Sequence, residues 1–199
     1  MTEPSPRRLH NPALFVCDIQ ENFRTVIWEF DSVISTTKKM LQAASILSIP
    51  VYASTQNRNR LGDTCSELCL ENAIEYTDKM AFSMWTPAIT QHFRKETPAE
   101  IAIVGIESHI CITQTTLDLL ANGHKVYIIA DGVSSRNREE IPVALKRLQQ
   151  EGAVITTSES FLFECMGDAG IPEFRNMAKL IKESEDDSKR AVKSLLGKL

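Results

Sequence analysis

Ile101-Ala102-Ile103-Val104-Gly105-Ile106-Glu107-Ser108-His109-Ile110-Cys111-Ile112-Thr113 is the stretch from which the fold is read. Its first four residues are an unbroken apolar, largely β-branched run, the pattern of a strand that a parallel sheet buries on both faces. Gly105 ends the run. Apolar residues then recur at Ile110, Ile112, Leu117, Leu119, Leu120 and Ala121 and stop at Asn122-Gly123, which has the composition of a helix C-terminus. Cys111 therefore falls in the first turn of a helix, at the carboxyl edge of a sheet. Ligand sites of open α/β sheets gather at that edge. Unpaired N–H groups and the helix dipole favour a thiolate there. The plainer role for such a residue is that of a small buried hydrophobe.

Outward from this unit, strands and helices alternate along the whole chain. Ala13-Leu14-Phe15-Val16-Cys17 reads as a buried strand that delivers Asp18 to its carboxyl end. A helix opens at Asp31-Ser32, carries Val33, Ile34, Met40, Leu41, Ala44 and Leu47 at helical spacing, and closes at Ile49-Pro50. Val51-Tyr52-Ala53-Ser54-Thr55 is the next strand, and the polar loop from Gln56 to Gly62 forms a pocket wall at the same edge. A short helix is expected near Glu67 and a weak strand at Ile74-Glu75-Tyr76, which places Lys79 beyond a third strand end. Thr86-Pro87 opens a helix, with proline at its first position. Lys125 to Ala130 is the fifth strand, with Asp131-Gly132 as its exit. Residues 138–150 form a helix, Ala153 to Thr157 the sixth strand, and Ser158 caps the helix that follows.

This order predicts an α/β fold: three α/β/α layers, Rossmann-like, around a six-stranded, mostly parallel sheet with right-handed crossovers. It divides the chain into an arm (1–12), one domain (13–182) and a charged tail (183–199). From Pro172 the tail begins as an amphipathic helix and then runs into Glu183-Ser184-Glu185-Asp186-Asp187-Ser188-Lys189-Arg190, expected to be a solvated linker. Ala191, Val192, Leu195 and Leu196 beyond it are free either to dock on another subunit or to fray.

Composition bounds the function. The 199 residues carry a net charge of −4, which lacks the basic footprint of a nucleic-acid binder. No apolar run is long enough for a membrane span. Five cysteines are an odd count without zinc-type spacing, and Cys65 and Cys69, four apart, suit a one-turn helical pair better than a metal site. With no signal peptide ahead of them, they indicate reduced thiols in the cytoplasm; Arg7 and Arg8 in the arm leave a mitochondrial address as the alternative.

Three strand ends thus offer Asp18, Lys79 and Cys111. A cysteine hydrolase needs a thiolate to attack a carbonyl, a carboxylate to take its proton and return it to a leaving amine, and a cation to favour the charged states. Taken singly, Asp18 could cap a loop, Lys79 could be solvated and Cys111 could be core. Their joint placement at one edge favours the catalytic reading. Gln20, Phe23, Gln56, Asn57, Phe82 and His109 flank the triad segments and are the candidate substrate-binding residues, although core roles suit Phe23 and Phe82 equally well.

The segments Phe15-Val16-Cys17-Asp18-Ile19-Gln20-Glu21-Asn22-Phe23, Lys79 with Phe82-Ser83, and Gly105 to Cys111 resemble the signatures of the isochorismatase-like cysteine hydrolases, which include nicotinamidases and N-carbamoylsarcosine amidases. Thr116 to Leu120, Asp131 to Arg136 and Gly167-Asp168-Ala169 are similar to the eukaryotic isochorismatase-domain branch. The resemblance implies an Asp18, Lys79, Cys111 triad and a cis peptide between Ile106 and Glu107. It also implies an oxyanion hole that includes the Cys111 N–H. Nicotinamidases carry an Asp-x-His metal site beyond the second strand. Here Thr55-Gln56-Asn57-Arg58 stands instead, so no metal and no cofactor are expected. True isochorismatases lack the cysteine, so an amide-type C–N bond of a small molecule, cleaved through a thioester, fits better. The expected assembly is a homo-oligomer, with no nucleic-acid or membrane partner. Two other readings compete: a catalytically idle member serving as an oligomeric binding or scaffold protein, and a thiol redox protein. The second is ranked last, because Cys17 should face away from Asp18 on its strand.

Overall fold

The computed structural model describes residues 7–197. Six parallel strands form one sheet: β1 (Pro12–Cys17), β2 (Val51–Gln56), β3 (Glu75–Lys79), β4 (Glu100–Ile106), β5 (Lys125–Ser134) and β6 (Val154–Thr156). Their spatial order is β3-β2-β1-β4-β5-β6. The chain winds outward from β1 to one edge, returns to β1's other side with β4, and winds to the opposite edge. The reversal between β1 and β4 leaves a crevice at their carboxyl ends, where doubly wound folds bind ligands.

Alternation along the strands feeds two cores. Leu14, Val16, Ala102, Val104, Tyr127 and Ile129 face one layer, into which α1 (Phe30–Leu47), α6 (Ser158–Met166) and α7 (Phe174–Glu183) pack. Ala13, Phe15, Cys17, Ile101, Ile103, Val126, Ile128 and Ala130 face the other, covered by α4 (Thr113–Ala121) and α5 (Glu140–Gln150). A fully buried Val, Leu or Ile contributes about 1.5–3 kcal/mol, and the central strands hold little else. Two short helices, α2 (Arg58–Leu61) and α3 (Pro87–Thr90), lie on the connections either side of β3.

The sequence expectations hold for the layers and fail at several joints. The α1 helix starts at Phe30 after a left-handed Glu29, not at an Asp31-Ser32 cap; the Ser32 hydroxyl donates to the Glu29 carboxylate instead (3.2 Å). The segment around Glu67 is turns, not a helix. Cys65 is accordingly buried and Cys69 exposed, with no helical pairing between them. The polar loop after β2 is partly wound into α2. Lys79 is the last residue of β3 rather than beyond it, because the strand starts later than Ile74. The β5 strand does not exit at Asp131-Gly132 but passes through an irregularity in its register with β4 and continues to Ser134. Thr157, not Ser158, caps α6, while the Ser158 N–H and hydroxyl bond the buried Asp131 carboxylate.

The charge run at 183–190 is not a solvated linker: Glu185–Ala191 forms a helix, α8, continued by a wide turn at Val192–Leu196. Lys189 pairs with Glu185 and Arg190 with Asp187 along its outer side, spacings that support a helix. Ala191 and Leu195 are buried against the protein, and Ser188 accepts from the buried Lys39 ammonium of α1 at 2.7 Å. Residues 1–6 of the expected arm and 198–199 of the tail lie outside the described residues. No helix among the described residues is long and apolar enough to cross a membrane.

Candidate active site

Asp18 ends β1 in a left-handed conformation (φ 55°). One carboxylate oxygen, Oδ1, accepts from the Ser54 hydroxyl of β2 (2.8 Å). The other, Oδ2, accepts from the Lys79 ammonium at the end of β3 (2.7 Å). Both side chains of this ion pair are almost fully buried. The ammonium also donates to Gln56 Oε1 (2.8 Å) and to the Ala81 and Phe82 carbonyls (3.2 and 3.0 Å). Burial pulls the Lys79 pKa down, but attraction to Cys17, Asp18 and Cys111 outweighs it, so the lysine titrates above its ordinary value.

The turn after β4 carries the nucleophile candidate. Gly105 pairs with Cys17 in the sheet at φ 147°, and a Cβ built on it would stand 2.3 Å from the Cys17 carbonyl oxygen. Only glycine allows this approach. Among the described residues every peptide bond is trans, so the expected cis Ile106–Glu107 bond is absent; a left-handed Glu107 (φ 56°) reverses the chain instead. Glu107 is buried, and its carboxylate pairs with Arg136 Nε (2.9 Å). The first helical turn, Ser108–Ile112, is wide, and the Glu107 carbonyl accepts from both Ile110 and Ile112 N–H. The Cys111 N–H lies between these two. The extended end of β5 holds the turn in place: the Ser108 hydroxyl donates to the Ser134 carbonyl (3.1 Å), and His109 Nδ1 bonds the Ser135 hydroxyl (3.0 Å).

Cys111 is 6% exposed. Its thiol shares a buried cluster with Cys17 and lies within electrostatic reach of Cys17 and Lys79. Cys17 does not face away from Asp18: the left-handed turn at Asp18 breaks strand alternation, and the Cys17 thiol sits 3.5 Å from Asp18 Oδ2. Burial above all, then the neighbouring Cys111 and the Asp18 charge, push the Cys17 pKa well above its ordinary value.

The flanking residues divide. Gln20 is fully buried and its amide is engaged by the backbone. It donates to the Gln56 and Gly62 carbonyls (3.1 and 2.7 Å) and accepts from Gln56 N–H (2.8 Å). It fixes the β1 and β2 loops rather than presenting a head to a ligand. Gln56 likewise donates to the Met80 carbonyl (2.9 Å) and accepts from Lys79, so it positions the lysine. Asn57 turns the chain in a left-handed conformation before α2. Phe23 packs against the core, whereas the Phe82 ring is half exposed and Met80, two residues before it, is exposed. His109 stays at the turn, bonded to Ser135 and 3.6 Å from Glu107.

Sequence reasoning missed Ser54, Ser134, Ser135 and the Glu107–Arg136 pair as parts of the site. The readable signal was a polar residue at the carboxyl end of an otherwise apolar strand. Among the described residues, one group of three could in principle hold a metal ion: Glu21, Cys65 and Glu67. Arg24 already fills that cluster, 2.6 Å from Glu21 and 2.8 Å from Glu67, and holds the Glu21 carboxyl down at about 2. At the end of β2 stands Gln56, whose amide oxygen accepts from Lys79, followed by Asn57, whose left-handed backbone turns the chain into α2.

Comparison with known proteins matches residues 12–160 to the isochorismatase domain. The secreted isochorismatase effector Isc1 of Phytophthora sojae is 43% identical over 180 residues, 87% of this chain and 86% of that protein. Isochorismatase domain-containing protein 2 of Xenopus laevis is 41% identical over 176 residues, 88% of this chain and 85% of the relative. Of the solved structures, the MAR1 ribonuclease of Caenorhabditis elegans superposes with a TM-score of 0.82 at 38% identity, covering 86% of this chain and 90% of that one. The fold alone is shared with the YcaC gene product of Escherichia coli, described as an octameric hydrolase of unknown specificity. That match has a TM-score of 0.77 at 19% identity and covers 97% of this chain and 98% of the other.

Proposed function

Because this chain belongs to the isochorismatase family, we propose that it is a metal-independent cysteine hydrolase that cleaves a C–N bond of a small amide through a thioester on Cys111. The observation that carries this reading is the buried Asp18–Lys79 pair, joined at 2.7 Å beside a cysteine in the first turn of a helix. Asp18 takes the Cys111 proton, and the thiolate attacks the amide carbonyl. The developing oxyanion meets the Cys111 N–H, and donors aimed at such charge are usually the largest catalytic contribution. Asp18 then gives its proton to the leaving nitrogen as the C–N bond breaks. Water, deprotonated by the same carboxylate, hydrolyses the thioester and releases the carboxylic acid. Lys79, anchored by three further acceptors, holds Asp18 in place throughout.

The half-exposed Phe82 and the exposed Met80, which follow Lys79 in the chain, favour a substrate with an apolar portion. The acidic net charge argues against a polynucleotide substrate, so the ribonuclease activity by which MAR1 is named is not carried over. We further propose a homo-oligomer, since Met80 and Phe82 leave large apolar side chains exposed on the single chain; sedimentation at micromolar concentration should show more than one subunit per particle.

The test is a panel of small primary amides, followed by ammonia release and by acid-quenched intact mass. Turnover with an acyl adduct mapped to Cys111, absent in Cys111→Ser and insensitive to EDTA, is expected. Turnover that persists in Cys111→Ser, turnover that EDTA abolishes, or cleavage of an RNA oligonucleotide in place of any amide would overturn the reading.

A further inference from the structure

Cys17 has no part in the hydrolysis, yet it stands inside the site. Its thiol is completely buried, 3.5 Å from Asp18 Oδ2, in the same buried cluster as Cys111 and within electrostatic reach of the Cys111 thiol. The backbone explains the encounter. Gly105, with no side chain, lets β4 close onto Cys17, since a Cβ there would stand 2.7 Å from the Cys17 Cβ. The turn that follows therefore brings Cys111 over the end of β1. The two thiols differ in access: Cys17 is sealed at 0% exposure, while Cys111 is 6% exposed. The remaining cysteines are separate from both. Cys65 lies in the loop by Arg24, Cys69 is on the surface and Cys165 is in α6.

We propose that Cys111 and Cys17 form an oxidation site in which hydrogen peroxide oxidises Cys111 and Cys17 resolves the product into an intramolecular disulfide that thiols reverse. In the first step the Cys111 thiolate attacks one peroxide oxygen and the O–O bond breaks. The sulfur becomes a sulfenic acid, oxidised by two electrons, and the other oxygen leaves as water after taking a proton. In the second step the Cys17 sulfur attacks the Cys111 sulfur. Its proton passes to Asp18 Oδ2 and from there to the departing hydroxyl, so that the S–S bond forms as the S–O bond breaks and a second water leaves. Two thiols and one peroxide thus give one disulfide and two waters. Two equivalents of an added thiol restore both cysteines.

The arrangement suits a resolving thiol. Cys17 cannot meet the oxidant itself, its burial keeps it protonated, and the base that would accept its proton touches it. Resolution removes the sulfenic acid before a second peroxide can drive it to the irreversible sulfinic state. The site would be silenced reversibly rather than destroyed.

The experiment treats the full chain and Cys17→Ser with hydrogen peroxide at neutral pH, then digests with trypsin without reductant. The expected wild-type product lacks two hydrogens and contains residues 9–24 linked to residues 96–125, each of which holds one cysteine. Dithiothreitol should return Cys111 to full iodoacetamide reactivity. In Cys17→Ser, Cys111 should gain two oxygens and stay unreactive after dithiothreitol. Absence of the linked peptide, an unmodified Cys111, or equal rates of sulfinic acid formation in the two proteins would overturn the proposal. The linked peptide is read on wild type alone, so a poorly folding variant does not decide the outcome. Because mass and not turnover is measured, a protein that forms this disulfide but hydrolyses no amide refutes the hydrolase reading and leaves this one standing.

Discussion

At the scale of single residues, the candidate site is built on a buried ion pair, Asp18–Lys79. A lysine and a carboxylate removed from water lose hydration that their attraction barely restores, but removing one partner alone strands the other. Lys79→Met should therefore destabilise the protein by about 3–5 kcal/mol in urea unfolding. Folding favours the charged form of Lys79, whose pKa lies above its ordinary value. Its contribution to stability is complete below that ordinary value, about pH 10, and fades as pH rises through the folded-state value. The variant should accordingly show a flatter alkaline limb of stability against pH than wild type. Asp18→Asn keeps the shape and removes the proton carrier, so kcat should fall about 100- to 10,000-fold, the usual share of general acid–base catalysis. The residue types of the proposed triad were legible in the sequence because Asp18 and Lys79 stand at strand ends and Cys111 in the helical turn that follows a third. The roles of Gln20 and Gln56 were not, because a neutral amide beside a site reads the same whether it meets a substrate or a backbone carbonyl. Cys17 was misread for a sharper reason: period-two alternation fails where Asp18 adopts a left-handed φ.

At the scale of elements, strands and crossovers followed from apolar runs, but the joints did not. The β5 strand looked finished at Asp131-Gly132, since an acid followed by glycine normally ends a strand. Asp131 is instead buried as an acceptor for Ser158 at the start of α6, and the chain continues to Ser134, where it bonds the nucleophile turn. The tail was taken for a linker because its charges outnumber its apolar residues, yet Ala191 and Leu195 suffice to dock it. Leu195→Ala should cost about 2–5 kcal/mol in chemical denaturation, because its side chain is buried against the protein; a change near zero would contradict the docking of the tail. Gly105→Ala tests the closest joint of all. It combines a left-handed backbone with a 2.3 Å clash against Cys17, and each effect alone costs about 1–3 kcal/mol. The expected loss in chemical denaturation exceeds that of any other glycine-to-alanine change in the sheet.

At the scale of the whole molecule, the strand order turns separate residues into one site. Reversal between β1 and β4 opens the crevice, parallel strands send all their carboxyl ends to it, and Asp18, Lys79 and Cys111 arrive from three different strands. The same architecture distributes the five cysteines so that exposure and reactivity are set against each other. Cys69 is exposed, whereas Cys111 is nearly buried. Burial first pushes Cys65 and Cys165 up to about 12, and Cys17 is raised as well, so these three should be silent at neutral pH. The decisive measurement is iodoacetamide labelling at pH 7 with each site mapped by peptide mass. An activated nucleophile predicts that Cys111 labels first, ahead of the far more accessible Cys69, and that Lys79→Met slows Cys111 alone. Labelling led by Cys69, with Cys111 following its small exposed area and indifferent to Lys79, would contradict the central claim.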